Sequence, residues 1–172
     1  MTRVAKFHRS GGQGSRQFLT IESPIGPLGI VADGDRILEV CFDPVRGGDD
    51  ARRTEAELCP VLRQAERELG EFFDGRRRHF GLSLALAGTT FQNRVWSALH
   101  EVPFGATCSY SELARRIGSP NSSRAVGMAL GRNPLVIVVP CHRVIGADGS
   151  LVGFGGGLEI KRKLLEHEAR FA

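Results

Sequence analysis

The residues best equipped for chemistry in this 172-residue chain are Cys141 and His142, in the run Pro140-Cys141-His142-Arg143-Val144. The thiolate is the reactive form of cysteine, and a free thiol titrates near pH ~8.5, so a base must take its proton at neutral pH. A histidine beside it is a natural acceptor. That histidine needs an orienting group on its other ring nitrogen, and Glu166 or Glu168 near the end of the chain can provide one. A buried free cysteine is ordinarily an inert core residue, and this reading suits Cys41, Cys59 and Cys108. Cys141 differs through its neighbours, which make it a candidate nucleophile.

Several elements must position this pair. The apolar run Leu135–Val139 predicts a short buried strand ending at Pro140-Cys141. A loop with few side chains follows, containing Gly146, Gly149, Gly153 and Gly155-Gly156-Gly157, and then a helix from Glu159 to about Arg170. Upstream, Thr89-Thr90-Phe91-Gln92 opens a helix that places Phe91, Val95 and Leu99 on one face. Ser109 and Glu112 form a possible capping box for a helix that Gly118 stops. After the turn Ser119-Pro120-Asn121 a second helix runs from Ser122 to about Leu130, and helix, short turn, helix is a DNA-binding pattern. The small residues Ala125, Gly127 and Ala129 on that second helix suit close approach to a nucleic-acid groove, or tight packing on another helix. Arg124 among them is either a side chain that wedges into a base stack or a solvated surface cation.

The first half reads differently. Phe18–Ile21, Leu28–Ile30 and Ile37–Val40 form short β-type runs, punctuated by Ser23-Pro24 and Asp33-Gly34. The polar stretch RGGDDARR is expected to be loop; Leu58, Leu62, Ala65, Leu69 and Phe72 have helical spacing; FGLSLALAG alternates like a strand. The organisation predicted is a flexible tail at 1–16, a sheet-plus-helix domain at 17–87 and a mostly helical domain at 88–172.

Composition narrows the function classes. Hydrophobic residues at 41% and charged residues at 24% suit a soluble globular protein, and no stretch approaches the ~18 apolar residues of a membrane span. Four separated cysteines without an export signal point to reduced thiols in a cytoplasm. With no CxxC pair and no zinc-finger spacing, no metal is expected. The net charge of +4 lies wholly in residues 88–172, which hold 10 Lys/Arg and 6 Asp/Glu. There is no P-loop and no dinucleotide fingerprint, so no cofactor is expected.

The segments PCHRVIGADGSLVGFGGG, GRNPLVIVVP and SSRAVGMALG, together with SPIGPL and FQNRVWSAL, closely resemble the O6-alkylguanine-DNA alkyltransferases, or methylated-DNA–protein-cysteine methyltransferases, of the bacterial type. The resemblance covers about residues 17–170 and is densest from Phe91 onward. It implies a two-domain α/β (α+β) fold, with an RNase H-like sheet-plus-helix domain before a winged-helix-like domain. It also implies a monomer that repairs DNA by direct reversal. Such a protein binds the minor groove of double-stranded DNA and rotates the damaged nucleotide out of the stack. It then moves a methyl or larger alkyl group from O6-alkylguanine, or O4-alkylthymine, to one cysteine, and is consumed by doing so.

By motif match, Cys141 is the acceptor, His142 its water-linked base and Glu168 the carboxylate holding the histidine. Asn133 braces the turn before the active-site segment, and Tyr110, the chain's only tyrosine, helps rotate the nucleotide and protonates the guanine ring. Arg124 fills the vacated space, with Ser123, Ala125, Gly127, Ala129 and Tyr110 on the DNA side. Pro140, Val144, Phe154, Gly155 and Gly156 line the substrate pocket. Many relatives carry Tyr and Ser or Thr where this chain has Phe154 and Gly155, so the contact to the guanine oxygen rests on backbone N–H. The rival from within the fold is a non-catalytic lesion sensor, which lacks the acceptor cysteine. A transcriptional regulator would not need a Cys-His pair beside a glycine-lined pocket, and a cysteine hydrolase would need an oxyanion arrangement that is not evident.

Overall fold

The computed structural model describes residues 16–42, 52–53 and 58–172. Most of the expected tail at 1–16, and residues 46–51 of the expected RGGDDARR loop, lie outside the described residues. The chain divides into two compact units, one ending at Ala87 and one spanning Gly88–Ala172.

The first unit is built on β1 (Arg16–Ile21), β2 (Leu28–Asp33) and β3 (Arg36–Cys41), an antiparallel meander. A two-residue strand, β4 (Arg52–Arg53), joins β1 in parallel, giving the order β3-β2-β1-β4. Those two arginines were expected in a loop; β4 pairs them with Gln17 and Phe18. The sheet buries Leu28, Ile30, Ile37 and Val40 against α1 (Pro60–Phe73). Pro60 at the first helical position fits because no N–H is needed there. Leu62, Ala65, Leu69 and Phe72 repeat at three or four residues and are all fully buried, as their spacing predicts.

FGLSLALAG is not a full strand. It runs beside β3 with one parallel bridge, Ile37 to Leu84, and two backbone hydrogen bonds, Ile37 N–H to Ser83 and Ala85 N–H to Ile37. Its alternation is real, since Leu82 and Leu84 are buried. Burial of alternate side chains requires an extended backbone but not a complete ladder.

The second unit contains α2 (Thr90–Leu99), β5 (Cys108–Ser109), α3 (Tyr110–Arg116), α4 (Ser123–Leu130), β6 (Val144–Ile145) and α5 (Leu158–Phe171). Reciprocal capping boxes start α2, through Thr89 and Gln92, and α3, through Ser109 and Glu112. Gly118 has φ of +68° and turns the chain from α3 toward α4, a conformation that glycine adopts without a Cβ penalty. The Trp96 indole on α2 is buried and donates to the Ala129 carbonyl on α4, 3.0 Å away. Gly88 must lack a side chain, because a Cβ there would lie 2.4 Å from the Trp96 ring. β5 and β6 pair in parallel, Cys108 with Val144 and Ser109 with Ile145.

The expected strand at Leu135–Val139 is absent. The segment is a compact turn in which Val139 N–H bonds to Leu135 and Val138 N–H to Val136. Four of its five residues are buried, and Ile137 adopts φ of +71°. Such a backbone costs a β-branched residue about 1–3 kcal/mol. Asn133 stabilises the turn: its amide donates to the Val139 carbonyl (2.8 Å) and its oxygen accepts from Leu135 N–H (3.0 Å). Asn133 therefore satisfies backbone groups that a neighbouring strand would otherwise satisfy. Apolar continuity predicts burial correctly, but it does not distinguish a strand from a braced turn.

Candidate active site and nucleic-acid interface

Cys141, His142 and Arg143 form a single 3₁₀ turn entered from Pro140 and left through β6. Cys141 is thus on a tight turn and not at a strand end. All three residues are buried, His142 completely. The Cys141 side chain reaches a cavity of about 520 Å³ that Tyr110, Arg124, Gly127, Phe154 and Gly155 also line. That volume lies within the usual range for a small-molecule pocket, roughly 300–1,000 Å³.

His142 and Arg143 converge on Glu168, from α5. The His142 Nε2 lies 2.8 Å from Glu168 Oε1, and the Arg143 guanidinium donates to both carboxylate oxygens at 2.9–3.1 Å. Arg143 also donates to the Val102 carbonyl (2.6 Å), and Gly105 N–H donates to Glu168 (3.0 Å). Burial pushes the Glu168 carboxyl up, but the hydrogen bond from His142 and the bonds and charge of Arg143 outweigh it and hold it at about 2. The carboxylate is therefore ionised and acts only as an acceptor.

This assigns the histidine tautomer. An ionised Glu168 requires the proton on Nε2, which leaves Nδ1 as the lone-pair nitrogen. Nδ1 is buried and has no hydrogen-bond partner in the protein. Burial, the largest influence, pushes His142 below its ordinary value despite the raising effect of Glu168, so the imidazole is neutral and able to accept a proton.

The Cys141 thiol is pushed up by burial. Several groups act against that: an Asn133 side-chain hydrogen bond, the backbone N–H groups of Cys141 and His142, and the charge of Lys161. At rest the thiol keeps its proton, while its surroundings are arranged to receive a negative sulfur.

Lys161, from α5, is fully buried, and its ammonium donates to the Val152 carbonyl at 2.8 Å. Tyr110 donates its hydroxyl to the same carbonyl at 2.9 Å. Burial, and secondarily the Cys141 charge, push the Tyr110 hydroxyl up, so it is a proton donor at rest. The Tyr110 ring lies beside α4, where a Cβ on Gly127 would stand 3.6 Å from it.

The structure brings together most of the expected residues. Cys141, Tyr110, Arg124, Ser123, Gly127, Phe154 and Gly155 share the cavity, while His142, Glu168 and Asn133 stand behind Cys141. Pro140 and Val144 are buried outside the cavity lining, and Gly156 does not line it either. Arg124 and Ala125 are exposed on α4. Ala129 is the correction: it is buried, and its carbonyl receives the Trp96 indole, so its small size serves helix packing and not a DNA-facing surface. Glu166 is exposed, which leaves Glu168 as the histidine's partner.

Sequence reasoning missed Arg143, Lys161, Met128 and Val152. A signal existed for Lys161. With Leu164 and Glu168 it falls at i, i+3 and i+7, the buried stripe of an amphipathic helix, and charged residues in such a stripe require partners.

Comparison with known proteins points in one direction. A family model described as 6-O-methylguanine DNA methyltransferase, DNA binding domain, matches residues 90–170. A methylated-DNA–protein-cysteine methyltransferase of Methanosarcina acetivorans is 44% identical over 151 residues, which is 88% of this chain and 97% of that one. A constitutive methylated-DNA–protein-cysteine methyltransferase of Bacillus subtilis is 43% identical, covering 88% and 94%. The crystal structure of Mycobacterium tuberculosis O6-methylguanine methyltransferase superposes with a TM-score of 0.80 at 42% identity, covering 91% and 94%. The Mycobacterium tuberculosis protein in complex with DNA gives 0.79 at the same identity.

Proposed function

The chain belongs to the methylated-DNA–protein-cysteine methyltransferases, proteins that repair O6-methylguanine in DNA by transferring its methyl group to a cysteine, and we propose that Cys141 is the cysteine that accepts it. The single observation that carries the assignment is the setting of Cys141. It is the one cysteine of the four that lines the cavity, and it is backed by a neutral histidine held by an ionised carboxylate.

The alkylated oxygen of guanine faces the pairing partner within the duplex, so the nucleotide must leave the stack to reach a buried thiol. Arg124, which lines the cavity, and its neighbour Ala125 are exposed on α4 and are the groups positioned to enter the minor groove, with Arg124 filling the space left behind. Inside the cavity the thiol proton passes through one water to His142 Nδ1, the ring nitrogen without a partner in the protein. Sulfur attacks the methyl carbon, the S–C bond forms as the C–O bond breaks, and the bonding electron pair returns to the guanine. Tyr110, turning its hydroxyl from the Val152 carbonyl, supplies a ring nitrogen with a proton that matches the one lost from sulfur. The product thioether is a poor leaving group, and no group around Cys141 is suited to regenerate the thiol, so each molecule acts once.

The cavity admits groups larger than methyl. Gly155 faces open space, where a Cβ would meet nothing within 4 Å. Acceptance of larger O6-alkyl groups, and of O4-alkylthymine, belongs to this reading, as does repair by a monomer in the cytoplasm.

The test is to incubate the protein with duplex DNA carrying O6-[methyl-³H]methylguanine. Label is expected on protein at no more than one equivalent per chain, and Cys141→Ser should abolish it. Label left on tightly bound DNA would support a lesion sensor instead, and repeated turnover would refute the single-use mechanism.

A further inference from the structure

Among the described residues only Met128, Val152 and Leu158 are large apolar side chains with high exposure, and Met128 is the most exposed, at 60%. Met128 lies on α4, one helical turn after Arg124, and shares with it and Ala125 the face turned away from the buried Val126, Ala129 and Leu130. It also lines the cavity mouth beside Arg124, Gly127 and Cys141. On its other side, just past the helix end, stands the exposed Arg132. Neither Arg124 nor Arg132 forms an ion pair with a described residue. An unbranched apolar side chain is thus held in water between two arginines that have no ion-pair partner among the described residues, on a helix face where the small, exposed Ala125 permits close approach.

We propose that Met128 is an affinity-setting DNA contact of this chain, packing against the deoxyribose faces of the minor groove beside the extruded nucleotide while Arg124 and Arg132 meet the surrounding polyanion. The inference rests on the reading of α4 as the DNA-facing helix. Three features select duplex DNA as the occupant. The flanking charges are complementary to phosphate. The patch is continuous with the mouth of the cavity that takes the base. The minor groove offers C–H sugar surface that an apolar side chain covers well, and methionine is among the residues that proteins set into that groove. Its flexible thioether adapts to a groove that changes shape on bending, whereas a β-branched side chain would not.

The test measures affinity for a fluorescein-labelled duplex containing O6-methylguanine by anisotropy, at several salt concentrations, for the full chain and four variants. Met128→Gln keeps length but adds polarity and should weaken binding about tenfold, with Met128→Ala similar and Met128→Leu within about twofold of the parent. Because no phosphate contact is lost, the slope of log K against log salt should be unchanged in the Met128 variants. The Met128 variants should fold normally, since the side chain is exposed. Parental affinity in Met128→Gln, or a shallower salt slope, overturns the inference. Arg124→Ala separates the two levels. If it weakens binding while Met128→Gln does not, only the Met128 contact fails; if neither variant has an effect, α4 is not the DNA-facing helix and both readings fail.

Discussion

At the scale of single residues, Glu168 carries more of the site than its place near the chain end suggests. It fixes the His142 tautomer, pairs with a buried arginine and accepts Gly105 N–H, so one carboxylate joins the Cys141 turn, the loop after α2 and α5. Removing one partner of a buried ion pair leaves the other uncompensated, which typically costs about 3–5 kcal/mol. Glu168→Gln should therefore lower the midpoint of thermal unfolding and also slow methyl transfer, because a neutral amide no longer dictates which ring nitrogen carries the proton. Measuring both on one preparation checks this: lost stability with an unchanged transfer rate would show that the tautomer assignment is irrelevant to the reaction. Cys141, His142 and Glu168 were all identifiable from residue type and motif. Arg143 and Lys161 were not, because a charged residue in a sequence reads as surface until its burial is known.

At the scale of elements, the turn from Asn133 to Arg143 decides where the thiol points. Its apolar run reads as a strand, and the structure replaces the strand with a turn held by one side chain. In Asn133→Ala the Leu135 N–H and the Val139 carbonyl both lose their partner, at about 1–3 kcal/mol for each group left buried and unsatisfied. The expected outcome is a loss of several kcal/mol in denaturant unfolding, together with slower alkylation of Cys141 by free O6-benzylguanine, a substrate that needs no DNA binding. Undiminished alkylation would mean that the turn holds its shape without the amide. The helices were far more legible. The start of α2 at Thr89, the Ser109–Glu112 capping box, the Gly118 stop and the stripe of α1 follow from local rules, since helix ends and faces are written in residues three and four apart.

For the whole molecule the buried charges predict how stability follows pH. His142 is held neutral by burial, so below its ordinary value of 6.5 the unfolded chain takes up a proton that the folded core refuses, and stability declines. Glu168, ordinarily titrating at 4.5 and held at about 2, adds a second loss. Its contribution is complete above about pH 4.5 and disappears as pH falls through about 2, amounting to about 3 kcal/mol. Urea unfolding followed from pH 7 to pH 2 should show stability falling throughout, and Glu168→Gln should flatten the lower part. A flat parental profile between pH 4.5 and 2 would contradict the depressed carboxyl. The charge surplus of residues 88–172 should appear at the same scale, as DNA affinity that falls with salt.

The sequence by itself determined the family, the division between a sheet-plus-helix half and a helical half, the candidate nucleophile and the helices that frame it. The family follows from the resemblance of several separated motifs, whereas the two halves and the helices depend on residue type at short spacing, where local chemistry is strong enough to be read directly. Only the tertiary structure decided that Cys141 sits on a braced 3₁₀ turn, that Arg143 joins His142 on Glu168, and that Ala129 faces inward while Met128 faces out. Those outcomes depend on which groups meet in space, Glu168 with the Cys141 turn and Trp96 with Ala129 across 25 or more residues of chain, and on which buried polar atoms find partners. Spacing along the chain does not encode that accounting.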